Sequence, residues 1–132
     1  MTRALLAAAL ALALAAPAAR AQLSQEADLN AGLEVIAAAD MIRRQCPEIE
    51  PRRARALGYM RSLALEALSR GYSRDAIRAY VEDDAAKAVV KGRARAYLEE
   101  RGLGAGAPED HCRVGRAEIA AGSPVGAFLQ AR

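Results

Sequence analysis

The sequence has few of the side chains on which enzyme chemistry depends. It has no Trp, one His, two Cys and one Phe, and its few serines fall in no Gly-x-Ser-x-Gly turn. General acid–base and nucleophilic catalysis need a poised acid, base or nucleophile. His111 has no evident Ser partner. The composition therefore argues against an enzyme, and we predict no catalytic, cofactor-binding or metal-binding residue.

No apolar segment of the sequence is long enough to span a membrane, and the longest one lies at the N-terminus. Ala4 to Ala16 is apolar, which is shorter than the roughly 20 residues that span a bilayer. Arg3 precedes it, and Ala19-Arg20-Ala21 fits an A-x-A cleavage site. We predict a signal peptide over residues 1–21, cleaved between Ala21 and Gln22. The rest, 22–132, is expected to be one periplasmic or secreted domain that does not span the membrane.

An excess of charge of one sign is absent from that domain. Cleavage removes Arg3 and Arg20 but no acidic residue, so the formal net charge falls from +3 to +1. A near-neutral exported domain has no general electrostatic attraction to a phosphate backbone. Nucleic acid is therefore not an expected partner.

The two cysteines, Cys46 and Cys112, are the only thiols in the chain. In an oxidising compartment, such a pair is expected to form a disulfide. The alternative is a metal site, because His111 is adjacent to Cys112. The three candidate ligands show no CxxC or HxxxH spacing, so the disulfide is the favoured prediction and the metal site the alternative.

Apolar residues recur at helical spacing throughout the mature chain. Leu29, Leu33, Ile36, Ala37 and Met41 mark one face of a first helix from Ser24 to Arg44. Caps and prolines delimit the others. We predict a helix from Pro51 to about Arg70 with Leu57, Met60, Ala64, Ala67 and Leu68 inward, a helix capped by Ser73, a helix from about Ala85 to Arg101, one beginning at Pro108 and ending at Gly122, and a short one over Val125 to Leu129.

Whether the chain continues as one helix through Glu82-Asp83-Asp84 is open from the pattern, and we favour a break there. No segment alternates at period two over the length of a strand, and no Asn-Gly or Asp-Gly hairpin occurs. The predicted fold is all-α, a bundle of four to five helices stapled by one disulfide.

Charged residues have structural interpretations beside functional ones. Asp40 lies on the first apolar face and is expected to pair with Arg43 or Arg44 one turn later. The acidic run Glu82-Asp83-Asp84 is expected to cap a helix rather than bind a cation. Two groups of basic residues form either solvated faces or a surface for anionic lipid heads or an acidic partner: Arg52, Arg53, Arg55 and Arg61, then Lys91, Arg93 and Arg95.

Several segments together resemble a family of small exported bacterial helical proteins known only as a domain of unknown function. The segments are Ala37 to Pro47, which ends in Cys-Pro, then Gly71-Tyr72-Ser73, Ala79-Tyr80-Val81, and Cys112 to Ser123 with its Gly-Arg-Ala-Glu-Ile sequence. The resemblance implies an exported helical domain with a cysteine pair matching Cys46 and Cys112. It implies no activity. A looser similarity, of architecture alone, is to the periplasmic acid-stress chaperones.

These observations predict a protein that acts by binding. The first hypothesis is an interaction or chaperone-like module, with an envelope protein as a candidate partner. The alternative is a small-ligand or metal-binding protein using His111 with nearby acids or thiols. The helix faces close one monomeric core or leave a stripe for self-association, and the pattern does not distinguish these cases.

Overall fold

The computed structural model describes residues 18–132. The predicted signal peptide therefore lies mostly outside the described residues. Residues 18–25 are helical (α1). The remaining elements are α2 (Ala27–Gln45), β1 (Ile49–Pro51), α3 (Arg53–Ser69), α4 (Arg74–Glu82), α5 (Asp84–Glu100), α6 (Pro108–Ala121), a 3₁₀ turn (Gly126–Phe128) and β2 (Leu129–Ala131).

The helical fold is confirmed, with six α-helices where four to five were predicted. The extra helix is α1, most of which precedes the predicted start of the first helix at Ser24. That helix begins instead at Ala27, because Glu26, with a φ of −76° and a ψ of 86°, leaves the helical region. The side-chain amide of Asn30 donates to the carbonyls of Leu23 and Glu26, at 2.9 and 2.8 Å. An amide that bonds backbone carbonyls in this way supports a non-helical corner.

The break between α4 and α5 is confirmed, and local capping explains it. Asp83 has extended backbone and accepts from the Ala86 N–H with Oδ2 at 2.9 Å. Ser73 caps α4 in the same way, accepting from the Ala76 N–H at 3.0 Å. Each side chain satisfies one of the unpaired donors at a helix start.

The expectation of no strands was wrong. β1 and β2 form a two-stranded antiparallel sheet in which Ile49, Glu50 and Pro51 face Ala131, Gln130 and Leu129. Strands of three residues are too short to show a period of two, which is why the sequence pattern missed them. The predicted final helix over Val125 to Leu129 is reduced to the 3₁₀ turn because the chain extends at Leu129 to enter β2.

The main core lies between α2, α5, α6 and the C-terminal segment. It contains Ala38, Ala39 and Ile42 of α2, together with Ile49, Ala94, Leu98, Leu103, Val114, Val125, Phe128 and Leu129. The predicted apolar face of α2 does pack inward, although it is only partly covered. Leu29 is buried, whereas Ile36, Ala37 and Met41 are half-buried against this core and Leu33 is half-buried.

Helix α3 departs further from its prediction. Ala67 is buried in it, whereas Leu57 is 71% exposed. A smaller cluster of Leu23, Leu29, Ala67 and Tyr80 connects α3 to α1, α2 and α4. Thus α3 packs against this cluster through its C-terminal turns and against the main core through Ala56 and Tyr59, while Leu57 stays uncovered.

The Cys46–Cys112 disulfide is confirmed. The sulfur atoms are 2.03 Å apart and the Cα atoms 5.0 Å apart, with a sequence separation of 66. Cys46 is the C-cap of α2, and Cys112 lies in the second turn of α6. The disulfide therefore fixes the end of the central helix to α6, beside the two-stranded sheet.

Candidate functional site

The half-buried face of α2 forms the floor of an apolar groove. Two cavities of 270 and 180 Å³ lie along it and share Leu33, Met60, Tyr80 and Val81. We call them together the α2 groove. Its other lining residues are Leu23, Leu29, Asn30, Ile36, Ala37, Asp40, Leu63, Ala64, Ala67, Ile77, Ala86, Lys87, Val90 and Lys91.

Helical periodicity places the floor residues on one line. Leu29, Leu33, Ile36 and Asp40 follow at spacings of three and four, so they share a face of α2. At a rise of 1.5 Å per residue, this face is about 16 Å long. One wall is α3, and the other is α4 followed by α5. The floor belongs to the apolar face that the sequence pattern predicts for this helix.

The polar atoms in the inner part of the groove are satisfied within the protein. The Tyr80 hydroxyl donates to Asn30 Oδ1 at 2.6 Å, and the Asn30 amide donates to two backbone carbonyls. Burial raises the pKa of Tyr80 above its usual value of 10, so its hydroxyl stays protonated at neutral pH. Among the described residues, no buried side-chain nitrogen or oxygen lacks a hydrogen-bond partner. The inner groove therefore presents an apolar surface.

Charged side chains line only the larger of the two cavities. Asp40 is held by two arginines, with Arg43 Nε at 2.7 Å from Oδ1 and Arg44 Nε at 2.6 Å from Oδ2. The predicted pairing of Asp40 is thus confirmed with both arginines. Lys87 contacts Asp84 at 3.1 Å, and Lys91 makes no ion pair within residues 18–132. The charged side chains at the rim of this cavity therefore carry a net positive charge.

A second polar cluster lies away from the groove, around Glu118 of α6. Glu118 is 5% exposed. Its carboxylate accepts from the Tyr97 hydroxyl at 2.6 Å and from the Ser123 hydroxyl, and it contacts Arg101 Nε at 3.1 Å. Ser123 Oγ in turn accepts from the Gly126 N–H at 3.0 Å. The charge is paired and bonded on every side, which is the pattern of a structural network.

Sequence reasoning did not single out Glu118, although it lies in the Gly-Arg-Ala-Glu-Ile segment of the family resemblance. The structure gives that segment packing roles. A Cβ on Gly115 would lie 2.5 Å from Ile49 Cδ1 and 2.6 Å from Ile42 Cγ2. Arg116 contacts Glu48 at 2.7 Å. Gly122 ends α6 with a φ of +61°, a conformation that Gly adopts without strain.

The residues of the alternative metal hypothesis are not brought together as ligands. Sγ of Cys46, Sγ of Cys112 and a Glu48 carboxylate oxygen lie within 4.8 Å of one another, but the two sulfurs are bonded to each other. The thiolate is the metal-binding form of cysteine. His111 is 6% exposed, and its Nδ1 lies 2.9 Å from the Ala107 carbonyl oxygen one turn earlier.

The remaining predicted positions are the cleavage site and the two basic groups. Ala21 and Gln22, which flank the predicted cleavage site, are exposed within α1. Of the basic groups, Arg93 contacts Glu34 at 3.3 Å, Arg95 contacts Glu99 at 2.9 Å, and Arg55 donates to the Ala127 carbonyl. Pairing between α2 and α5 thus accounts for part of the second basic group.

Comparison with known proteins gives a family without an assigned activity. The model of the family described as "Family of unknown function (DUF5333)" matches residues 21–130. No curated protein and no solved structure matches the chain. Within the part of the chain that the structure describes, no helix is both long and apolar enough to cross a membrane.

Proposed function

We propose that this chain, which belongs to the family of unknown function DUF5333, is an exported, non-catalytic binding protein that takes apolar groups into the α2 groove. The observation that carries the proposal is the groove itself. An apolar face about 16 Å long on the central helix is left open between α3 and α4–α5. Concave, mostly apolar clefts are the usual form of ligand sites.

The energetics of burial support this role. Val81 lines both cavities and is 41% exposed. Apolar area removed from water stabilises by about 25 cal/mol per Å², so an apolar occupant would gain from covering Val81 and its half-buried neighbours. Polar atoms deep in the groove already have partners, so such an occupant leaves no hydrogen bond unmade.

Export is part of the proposal and has separate support. The Ala21–Gln22 cleavage site follows from the N-terminal pattern. The family match begins at residue 21, which agrees with a domain that starts at that position. A disulfide is the expected state of a cysteine pair in an oxidising compartment.

The binding test uses two exposed apolar residues, one inside the groove and one outside it. Val81→Glu places a carboxylate in both cavities, whereas Leu57→Glu changes an exposed residue of α3 that lines neither. We expect an uncharged fluorescent apolar probe to bind the unmodified protein. Its affinity should fall at least tenfold in Val81→Glu and be unchanged in Leu57→Glu, with circular dichroism showing that both variants are folded.

Equal affinity in the two variants, or no binding by the unmodified protein, would contradict the groove as the site.

Export is tested by the mass of the protein recovered from the cell envelope. We expect a chain that begins at Gln22 and is two hydrogens lighter than the reduced form. A chain that retains residues 1–21 would overturn this part of the proposal.

A further inference from the structure

We infer that the occupant of the α2 groove is a single-chain fatty acid, with its acyl chain along α2 and its carboxylate at Lys91. This inference rests on the proposed function and specifies its ligand class. Three features of the described residues carry it: the dimensions of the groove, the positions of its polar atoms and the balance of charge at its rim.

The dimensions favour one extended chain over a helix. The two cavities, 270 and 180 Å³, lie in series along the floor and share a middle section. Each alone is smaller than a usual ligand pocket of about 300–1,000 Å³, and together they reach only the low end of that range. An α-helix with its side chains is about 10–12 Å across, whereas an unbranched acyl chain has the width of a single methylene throughout.

The polar atoms restrict where a headgroup can lie. The smaller cavity has Asn30 and Tyr80 as its polar side chains, and these bond to each other and to the backbone. A headgroup placed there would find no free donor. All charged lining residues belong to the larger cavity, so the polar end of an amphiphile is expected there and the tail in the smaller cavity.

The charges of the larger cavity select an anionic headgroup. Asp40 has both carboxylate oxygens bonded to arginines, and Lys87 contacts Asp84. Lys91 is exposed and unpaired within the described range. A carboxylate at this ammonium gains a charge-assisted hydrogen bond, while the acidic neighbour is already neutralised. An uncharged lipid would leave Lys91 without that partner.

The experiment is displacement of the uncharged apolar probe from delipidated mature protein by saturated fatty acids of 8 to 16 carbons and by the alcohols of equal length. Each methylene that enters the groove is expected to raise affinity up to about fourfold, since burying it contributes about 0.8 kcal/mol. The gain should stop once the chain exceeds the floor. At 12 carbons the acid should bind about tenfold more tightly than the alcohol.

Lys91→Gln should abolish the preference for the acid and leave the affinity for the alcohol unchanged. The matched control is Arg61→Gln, which removes a cation of α3 that does not line the groove, and it should keep the preference. Equal affinity of acid and alcohol for the unmodified protein, or an unchanged preference in Lys91→Gln, would overturn the inference. Absence of any chain-length dependence would do the same.

Failure of the inference is distinguishable from failure of the proposed function. If the probe binds in the groove but fatty acids do not displace it, the groove is a binding site with another occupant. Displacement by an unfolded polypeptide would then identify a chaperone-like site, and a dimer that Val81→Glu dissociates would identify a second copy of the chain. If the probe itself does not bind, both proposals fail.

Discussion

The hydroxyl of Tyr80 donates a 2.6 Å hydrogen bond to Oδ1 of Asn30, fifty residues earlier in the chain. Both residues are buried, at 8% and 3% exposure. Asn30 also uses its amide to hold the carbonyls of Leu23 and Glu26. These hydrogen bonds of Asn30 thus join α1, α2 and α4 at the inner part of the α2 groove.

Replacing Tyr80 tests this contact. Tyr80→Phe keeps the ring but leaves Asn30 Oδ1 buried without its donor, which should cost about 1–3 kcal/mol of unfolding free energy. Urea denaturation measures the loss. Tyr72→Phe is the control, because the Tyr72 hydroxyl donates to Glu26 at a half-buried position, and its cost should be smaller. Equal costs for the two variants would contradict the role given to Asn30.

Gly115→Ala tests the close approach of α6 to α2. The added methyl would meet side-chain carbons of Ile49 and Ile42 at 2.5–2.6 Å, so these side chains or the elements that carry them must shift, and overpacking of this kind costs about 1–3 kcal/mol. Gly92→Ala in α5 is the matched control, because its Cβ would meet nothing within 4 Å. That substitution should stabilise the protein by about 0.5–1 kcal/mol. Urea denaturation should show a lower free energy of unfolding for Gly115→Ala and a higher one for Gly92→Ala. An unchanged free energy of unfolding in Gly115→Ala would contradict the close packing.

Loss of the disulfide should remove a large part of the stability. For a loop of this length, with cysteines separated by 66 positions, the chain-entropy relation gives about 4 kcal/mol. Replacing both Cys46 and Cys112 with Ala should therefore lower the melting temperature by many degrees. Reduction of the unmodified protein should produce the same drop and should not affect the double variant. A melting temperature that is insensitive to reduction would contradict the prediction.

Acid should weaken the ion pair between Asp28 and Arg70. The guanidinium approaches both carboxylate oxygens, at 3.0 and 2.5 Å, and this hydrogen bonding lowers the pKa of Asp28 from 3.8 to about 2. Because the folded-state pKa lies below the unfolded value, the pair stabilises the protein fully above about pH 4, and its contribution falls as the pH decreases toward 2.

Asp28→Asn tests this pH dependence. The variant should be less stable than the unmodified protein at neutral pH, and the difference should shrink between pH 4 and pH 2. Urea denaturation at several pH values measures it. In an Arg70→Gln background, the pH-dependent difference produced by Asp28→Asn should be much smaller, since the hydrogen bond from Arg70 is the largest cause of the lowered pKa. A difference that persists at pH 2, or is as large without Arg70, would assign the effect to another contact.

Local chemistry made several features of the fold predictable. The predicted helix end at about Arg70 is followed by Gly71, which has a φ of +95°, and the Tyr72 N–H bonds back to the Ala67 carbonyl. Ser73 caps α4 through its own side chain. Such signals work because a helix end is decided by a few consecutive residues. The disulfide was predictable because only Cys46 and Cys112 could pair.

The candidate site was only partly predictable. The spacing of Leu33 and Ile36 predicts the apolar face of α2, but it does not decide between a closed core and an open stripe. Periodicity gives the side of a helix that is apolar, and it contains no information on what covers that side. Helix α3 contacts the main core at Tyr59 and the smaller cluster at Ala67, and the face of α2 stays open beside Met60. Lys91 was noted only as one member of a basic group.

The sequence by itself determined the helical class, most helix ends, the disulfide and the pairing of Asp40 with its arginines, because each depends on neighbours in the chain or on the lack of other partners. Only the tertiary structure decided that a sheet joins Ile49–Pro51 to Leu129–Ala131, that Glu118 is buried among Tyr97, Arg101 and Ser123, and that α2 faces a groove. These features depend on distances between segments far apart in sequence, which are set when the helices pack.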